Sequence, residues 1–289
     1  MKQIKYKNLF IKIVFIILFL LILTLFLFWQ NNAITINKLK YRNEQISDDF
    51  KGFKILQISD LHNKEFGDSQ KNLIKKTNEI NPDVIFITGD IIDSRRTSVD
   101  ELYIAMNYVK EAVKIAPVYY VSGNHEFRSG FYNQIKLEME KAGAHVLDNS
   151  SSEITLGKSA ISIIGLSDIT FTLKSHKNIN LQKDIEEKLS SLMDSNNFSI
   201  LLSHRPELIS SYTSAKVDMV FSGHAHGGQI RLPFIGGLIA PDQGLFPKYT
   251  EGLYVYNNTS LIVSRGLGNS LFPFRIFNRP ELVVVTLDN

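Results

Sequence analysis

The chain has no cysteine among its 289 residues. That excludes disulfides, thiolate-held metals and a thiol nucleophile. Its first 42 residues contain no acidic side chain, but seven basic ones: Lys2, Lys5, Lys7, Lys12, Lys38, Lys40 and Arg42. The formal net charge of +3 therefore belongs to that segment, because the remainder carries 25 basic against 29 acidic residues. No basic stripe crosses the body, so no nucleic-acid partner is expected. Internal repeats and low-complexity runs are missing as well, and no twin-arginine pair precedes the apolar stretch near the start.

What the N-terminus does hold is one long hydrophobic run. Ile13 to Trp29 is uncharged and almost wholly apolar, and Leu9 to Ile11 extend it beyond Lys12. Counted from Leu9 it approaches the ~20 residues needed to cross a bilayer. A cleavable signal peptide starts in the same way, but this core is long and "FWQNNAIT" offers no small-residue cleavage site. The reading is an uncleaved transmembrane helix, with residues 1–30 as cytoplasmic tail and anchor and Trp29 at the interface. Four lysines before the span put the N-terminus in the cytoplasm and the body outside, at the cell membrane. Residues 31–50 read as a linker leading into a first strand, and residues 51–289 as one domain.

In that domain, short apolar runs alternate with helical patterns. "FKILQIS", "DVIFIT", "PVYYVS", "AISIIGLS", "FSILLS", "DMVFS" and "ELVVVTL" read as buried strands. Helical spacing follows the first run and ends before Pro82. It recurs over Val99–Ile115 and again over Tyr132–Ala142, where Gly143 stops it. The rhythm is α/β, with a parallel sheet in the first half and a β-rich end.

Five of these strands end in acid, amide or imidazole groups. They are Asp60-Leu61-His62, Gly89-Asp90-Ile91-Ile92-Asp93, Gly123-Asn124-His125-Glu126, His204, and Gly223-His224-Ala225-His226. Five of the seven histidines lie at strand ends, leaving His145 and His176 as structural or surface residues. Strand ends of an α/β sheet face a common crevice. Asp60 and His62, two apart in extended chain, can share one ion, and His224 and His226 repeat the spacing. Carboxylate, amide and imidazole donors suit Mn, Fe or Zn. Each motif alone has a bland reading as a turn or a cap; five in order do not.

This ordered set resembles the signature of calcineurin-like metallophosphoesterases, and the tail "SRGLGNSLFPFRIFNRPEL" with the apolar N-terminus is similar to their membrane-associated, YkuE-like branch. The resemblance implies a four-layer α/β/β/α sandwich, two β-sheets flanked by helices, carrying two divalent metal ions. Asp60, His62 and His226 would hold one ion, Asn124, His204 and His224 the other, and Asp90 both. It implies His125 as general acid or phosphoryl stabiliser, oriented by Asp93, while Glu126 orders its loop. It also implies attack on phosphorus by a metal-bridging hydroxide. The substrate class is a phosphodiester or pyrophosphate, with a lipid or envelope phosphoester favoured by the tether. A metal-binding scaffold, a nuclease and a phosphoprotein phosphatase are the alternatives.

Arg128, just past the third motif, is a candidate substrate contact. Two later segments, Arg231–Tyr249 and Arg265–Glu281, mix Gly and Pro with Phe, Leu and Ile. They read either as a rim meeting lipid, with Arg265, Arg275 or Arg279 near phosphate, or as loops packed over their own aromatics.

Overall fold

The computed structural model describes residues 2–173, 180–194, 196–270 and 272–289; His176 lies outside them. Helix α1 (Lys2–Asn32) contains the apolar run; the body leaves it uncovered up to Leu25 and packs against its last turns. Its stretch Tyr6–Asn32 is 27 residues and includes an 18-residue window of mean hydropathy 3.1, long and apolar enough to cross a membrane. Only Ala33 and Ile34 separate α1 from strand β1 (Thr35–Arg42).

The following elements are β2 (Lys54–Ile58), α2 (Lys71–Ile80), β3 (Val84–Thr88), α3 (Tyr103–Ile115), β4 (Val118–Val121), α4 (Asn124–Ser129) and α5 (Tyr132–Ala142). Then come β5 (His145–Val146), β6 (Ser150–Leu156), β7 (Ser159–Leu166), α6 (Thr170–Leu173), α7 (Leu181–Leu192), β8 (Phe198–Ser203), α8 (Ile209–Ser214) and β9 (Met219–Ser222). The chain closes with β10 (Gly252–Tyr256), β11 (Thr259–Val263) and β12 (Glu281–Asp288). The helix signals act locally as the sequence suggests: Asn81 takes a left-handed conformation after α2, and Gly143 (φ 97°) does so after α5.

Two six-stranded sheets form, in the orders β1-β12-β2-β3-β4-β5 and β10-β11-β9-β8-β7-β6. Strands β2 to β5 are parallel, as are β7, β8, β9 and β11. Their continuous apolar sequences follow from burial on both faces. Alternate residues sort into three cores. Ile55, Phe86, Val121 and Val285 meet Ile163, Leu202 and Phe221 between the sheets. Leu56, Ile58, Ile85 and Ile87 face α2, α3 and α5, while Leu201, Val220 and Leu261 face α7 and α8. The fold is the expected four-layer α/β/β/α sandwich, and it aims the ends of β2, β3, β4, β8 and β9 at one place. At the centre, Phe86 makes edge contacts with Phe221 (5.3 Å) and Tyr119 (6.2 Å) and is fully buried. Phe86→Ala should lower the unfolding free energy by about 3–5 kcal/mol through cavity formation. Urea denaturation checks this, and a loss below about 1 kcal/mol would contradict the inter-sheet core.

Candidate metal centre

Each strand delivers its polar group one or two small residues after its last apolar residue. Asp60, His62, Asp90, His224 and His226 all adopt left-handed backbone conformations, with φ between 48° and 66°. Non-glycine residues take that region only when the surroundings impose it, and such strain collects at functional sites. The loops are mutually braced: Asp60 and His62 donate backbone hydrogen bonds to the carbonyls of Gly89 and Asp90 (both 3.0 Å). Gly123 needs its missing side chain for close approach, since a Cβ there would collide with Asp90 Oδ1.

The side chains form two adjoining groups that share Asp90. In the first, His226 Nε2 lies 3.2 Å from Asp60 Oδ1 and 3.1 Å from His62 Nε2, with Asp90 Oδ2 3.7 Å from His62. In the second, His204 Nε2 sits 3.2 Å from Asp90 Oδ2 and 3.2 Å from His224 Nδ1. Asn124 completes this group, its side-chain oxygen facing His224 Nδ1 at 2.9 Å. All seven expected ligands are buried and meet at this one place.

The donors fit divalent cations on two observations. His224 Nε2 hydrogen-bonds Asp242 Oδ2 at 3.0 Å, which leaves Nδ1 as a bare lone pair. That lone pair faces the amide oxygen of Asn124, and two acceptors in contact are reconciled by a cation between them. Reversing the amide would also satisfy hydrogen bonding, but a ligand role requires oxygen on the His224 side. Second, every donor is O or N, the set preferred by borderline metals such as Mn, Fe and Zn.

The electrostatics agree. Burial drives His62 down to about 3 despite Asp90, which keeps the ring neutral as a ligand must be. Burial opposes charge on His204 too, yet Asp90 and Asp60 pull it up to about 10. Burial alone would raise Asp90, but His204, His125 and His62 hold its carboxyl well below the usual range. So much buried anionic character needs cationic partners.

His125, at the start of α4, points at the shared carboxylate, its Nε2 3.9 Å from Asp90 Oδ2. Its Nδ1 receives the backbone N–H of Ser94 at 3.0 Å and lies 3.3 Å from Asp93 Oδ1. These neighbours compete: the amide favours a bare Nδ1 with the proton on Nε2, and Asp93 favours a proton on Nδ1. Asp93 is held well below the usual carboxylate range; burial opposes this, while His125 and Arg95 outweigh it. Glu126 accepts the backbone N–H groups of Gly123 (2.7 Å), Asp90 (2.9 Å) and Ile91 (2.7 Å), so it ties the third motif to the second. Arg128 is exposed, with Nη1 3.2 Å from the Asn124 amide.

Several supporting residues escaped the sequence reading. Asp242 orients His224 and pairs with Arg205, which also binds Asp168 (2.6 Å) and Glu207 (3.2 Å). Asn278 holds the carbonyl of His226 (2.7 Å). Neither carries a local signal, because each acts across tens of residues of sequence. Of the two readings of the tail arginines, the contacts favour packing. Arg275 is buried on the carbonyls of Gly268, Arg265 and Asn278; Arg265 pairs with Glu281 and Glu251; Arg279 stacks on Trp29. Asp242→Ala should weaken metal binding about 10–100-fold, as removal of a ligand-orienting group does. Metal titration followed by mass spectrometry tests this, and unchanged affinity would contradict the role of Asp242.

Comparison with known proteins fits this geometry. A family model described as calcineurin-like phosphoesterase matches residues 53–228. The metallophosphoesterase YkuE of Bacillus subtilis is 35% identical over 250 residues, covering 85% of this chain and 82% of its own. A metallophosphoesterase of Campylobacter jejuni is 29% identical over 297 residues, covering 99% of this chain and 73% of that one. A Danio rerio protein named as a transmembrane protein with metallophosphoesterase domain is 26% identical, covering 84% of this chain and 55% of its own. Among solved structures, a dimetal phosphatase from Danio rerio aligns with TM-score 0.48 and 13% identity, covering 75% of this chain and 88% of that one. The chain belongs to the calcineurin-like phosphoesterase family and is a metal-dependent phosphoesterase.

Proposed function

We infer that the protein is a membrane-anchored hydrolase of phosphodiester or pyrophosphate bonds that works with two divalent ions. The observation carrying this reading is Asp90, one carboxylate common to two adjoining ligand groups. Asp60, His62 and His226 would hold the first ion, and Asn124, His204 and His224 the second, with Asp90 available to both. Bound there, the ions supply Lewis acidity toward a phosphoryl oxygen and a water activated near neutral pH.

The protein side chains do the rest. His125 faces the place where phosphorus must sit and serves the leaving oxygen, or the equatorial oxygens, through Nε2. For the neutral ring, the Ser94 amide keeps the proton on that nitrogen. Burial disfavours a charged His125, but Asp93 and Asp90 outweigh it and raise the pKa, so a proton is at hand near neutrality. Asp93 accepts from Nδ1 when the ring is cationic, and Arg128 at the rim binds substrate phosphate. Helix α1 is the anchor, with the N-terminus cytoplasmic and the body outside; the four lysines before its apolar core favour that orientation. A lipid or envelope phosphoester suits a tethered body.

Removal of the proton donor should separate catalysis from metal binding. His125→Ala should keep its metal and lose about 10²–10⁴-fold in turnover of bis-p-nitrophenyl phosphate, the range for one positioned acid–base group. Asp90→Ala should lose both metal and turnover. Steady-state assays paired with metal counting decide, and full activity in His125→Ala would overturn its assignment.

A further inference from the structure

Outside α1, the described residues include five exposed phenylalanines: Phe234, Phe246, Phe272, Phe274 and Phe277. All five lie on the two loops that wall the metal centre. Phe234 is as exposed as a side chain can be, and Leu245, Phe246 and Ile235 are each at least 60% exposed. Monomeric proteins rarely gather such side chains on one water-facing surface. Phe234, Phe246 and Phe277 also hold left-handed backbone, with φ between 51° and 68°, which is costly for bulky residues.

The two loops are one unit. Arg231 donates its backbone N–H to the Ile276 carbonyl (3.0 Å), and a groove of about 460 Å³ runs between Arg231–Gly236 and Phe277. This unit touches the site directly. Asn278 holds the His226 carbonyl, Leu238 donates to the Gly228 carbonyl (3.1 Å), and Asp242 bonds His224.

The same unit grips the end of α1. Phe26 packs edge-on against Phe277 at 5.6 Å, and the Arg279 guanidinium lies 4.5 Å over the Trp29 ring. Asn31 Oδ1 accepts from the Arg275 amide and from Asn269 Nδ2, both at 3.0 Å. Gln30 and Asn31 are buried, and four residues after Asn31 the chain enters β1. A helix that leaves the bilayer at Trp29 therefore brings these loops to the lipid surface with no slack between them. Phe277 joins the helix's apolar surface to Phe234 and Ile235 across the groove, and aromatic side chains favour that boundary.

We propose that Phe234, Ile235, Leu245, Phe246, Phe272 and Phe274 seat in the adjoining leaflet, so that the metal centre receives the headgroup phosphoester of a lipid in that membrane. This deepens the anchored-hydrolase reading above and rests on it. The occupant is lipid rather than protein because the surface is continuous with α1, which is itself apolar around its circumference and left uncovered up to Leu25.

The absence of cysteine makes the test direct. Phe234→Cys, Phe246→Cys, Phe272→Cys and Leu156→Cys are each made in the full chain and carry a bimane label. Leu156 ends β6 and pairs with Ser159, the first residue of β7, at the end of the sandwich away from His204. The chains are placed singly in nanodiscs of phosphatidylglycerol containing lipid brominated high on its acyl chains. Strong quenching at the three loop positions and none at Leu156 is expected; equal, weak quenching at all four overturns the proposal. Shielding that appears only with a second chain in the disc marks a protein interface and also overturns it.

The headgroup claim is read separately, from the KM for soluble bis-p-nitrophenyl phosphate. KM should be higher in phosphatidylglycerol discs than in discs of phosphate-free galactolipid, because headgroups compete for the site; equal KM values overturn that claim. Failure to hydrolyse the soluble ester in either disc would instead reject the hydrolase reading, while the quenching result would stand on its own.

Discussion

The Asp90 carboxylate is the group the rest of the molecule is arranged to support. It is almost fully buried, with ring nitrogens of His204, His62 and His125 between 3.2 and 3.9 Å from its Oδ2. Its Oδ1 accepts the backbone N–H of His125 at 2.8 Å. A buried charge is tolerated only when paired and hydrogen-bonded on every side. That requirement explains features that look unrelated in the sequence. Gly123 must lack a side chain, Glu126 must gather three amides around the Asp90 turn, and five of the clustered residues must accept left-handed backbone.

The sandwich supplies the stiffness this needs. Two sheets packed through aromatic and branched residues fix where β2, β3, β4, β8 and β9 end. The loops beyond those ends are short and cross-bonded, so their side chains converge without a long search. Orientation then comes from a further layer: Asp242 on His224, Asn278 on the His226 carbonyl, and Ser94 and Asp93 on His125. Part of this layer belongs to the loops that also hold α1. The loops that orient the site residues and the loops that hold the end of α1 are therefore the same segments of chain.

Much of this was legible in the sequence because the informative segments obey local rules. Strands buried on both faces must be continuously apolar, so "DVIFIT" and "FSILLS" identify themselves. Polar residues directly after such runs can only sit at strand ends, which made Asp60, Asp90, Asn124, His204 and His224 visible. Exposed or short elements are a different matter. β6 and β10 alternate or face solvent, and nothing in their sequences separates them from loops. Asp242, Arg205 and Asn278 act through partners 18 to 52 residues away, a distance at which neither periodicity nor spacing carries information. The arginines of the C-terminal tail left two readings open for the same reason. A guanidinium reads as a phosphate ligand in sequence, yet Arg275 is spent on backbone carbonyls and Arg279 on an indole ring.

The central claim is that one carboxylate serves two ions at once. Electron paramagnetic resonance of the full chain loaded with Mn(II) addresses it directly. Two ions sharing Asp90 lie close enough to couple, as in other paired-metal hydrolytic sites. Two Mn per chain are expected, with an exchange-coupled multiline spectrum that collapses when Asp90 is replaced by alanine. A single six-line Mn signal at saturation, or two uncoupled ions indifferent to Asp90, would contradict it.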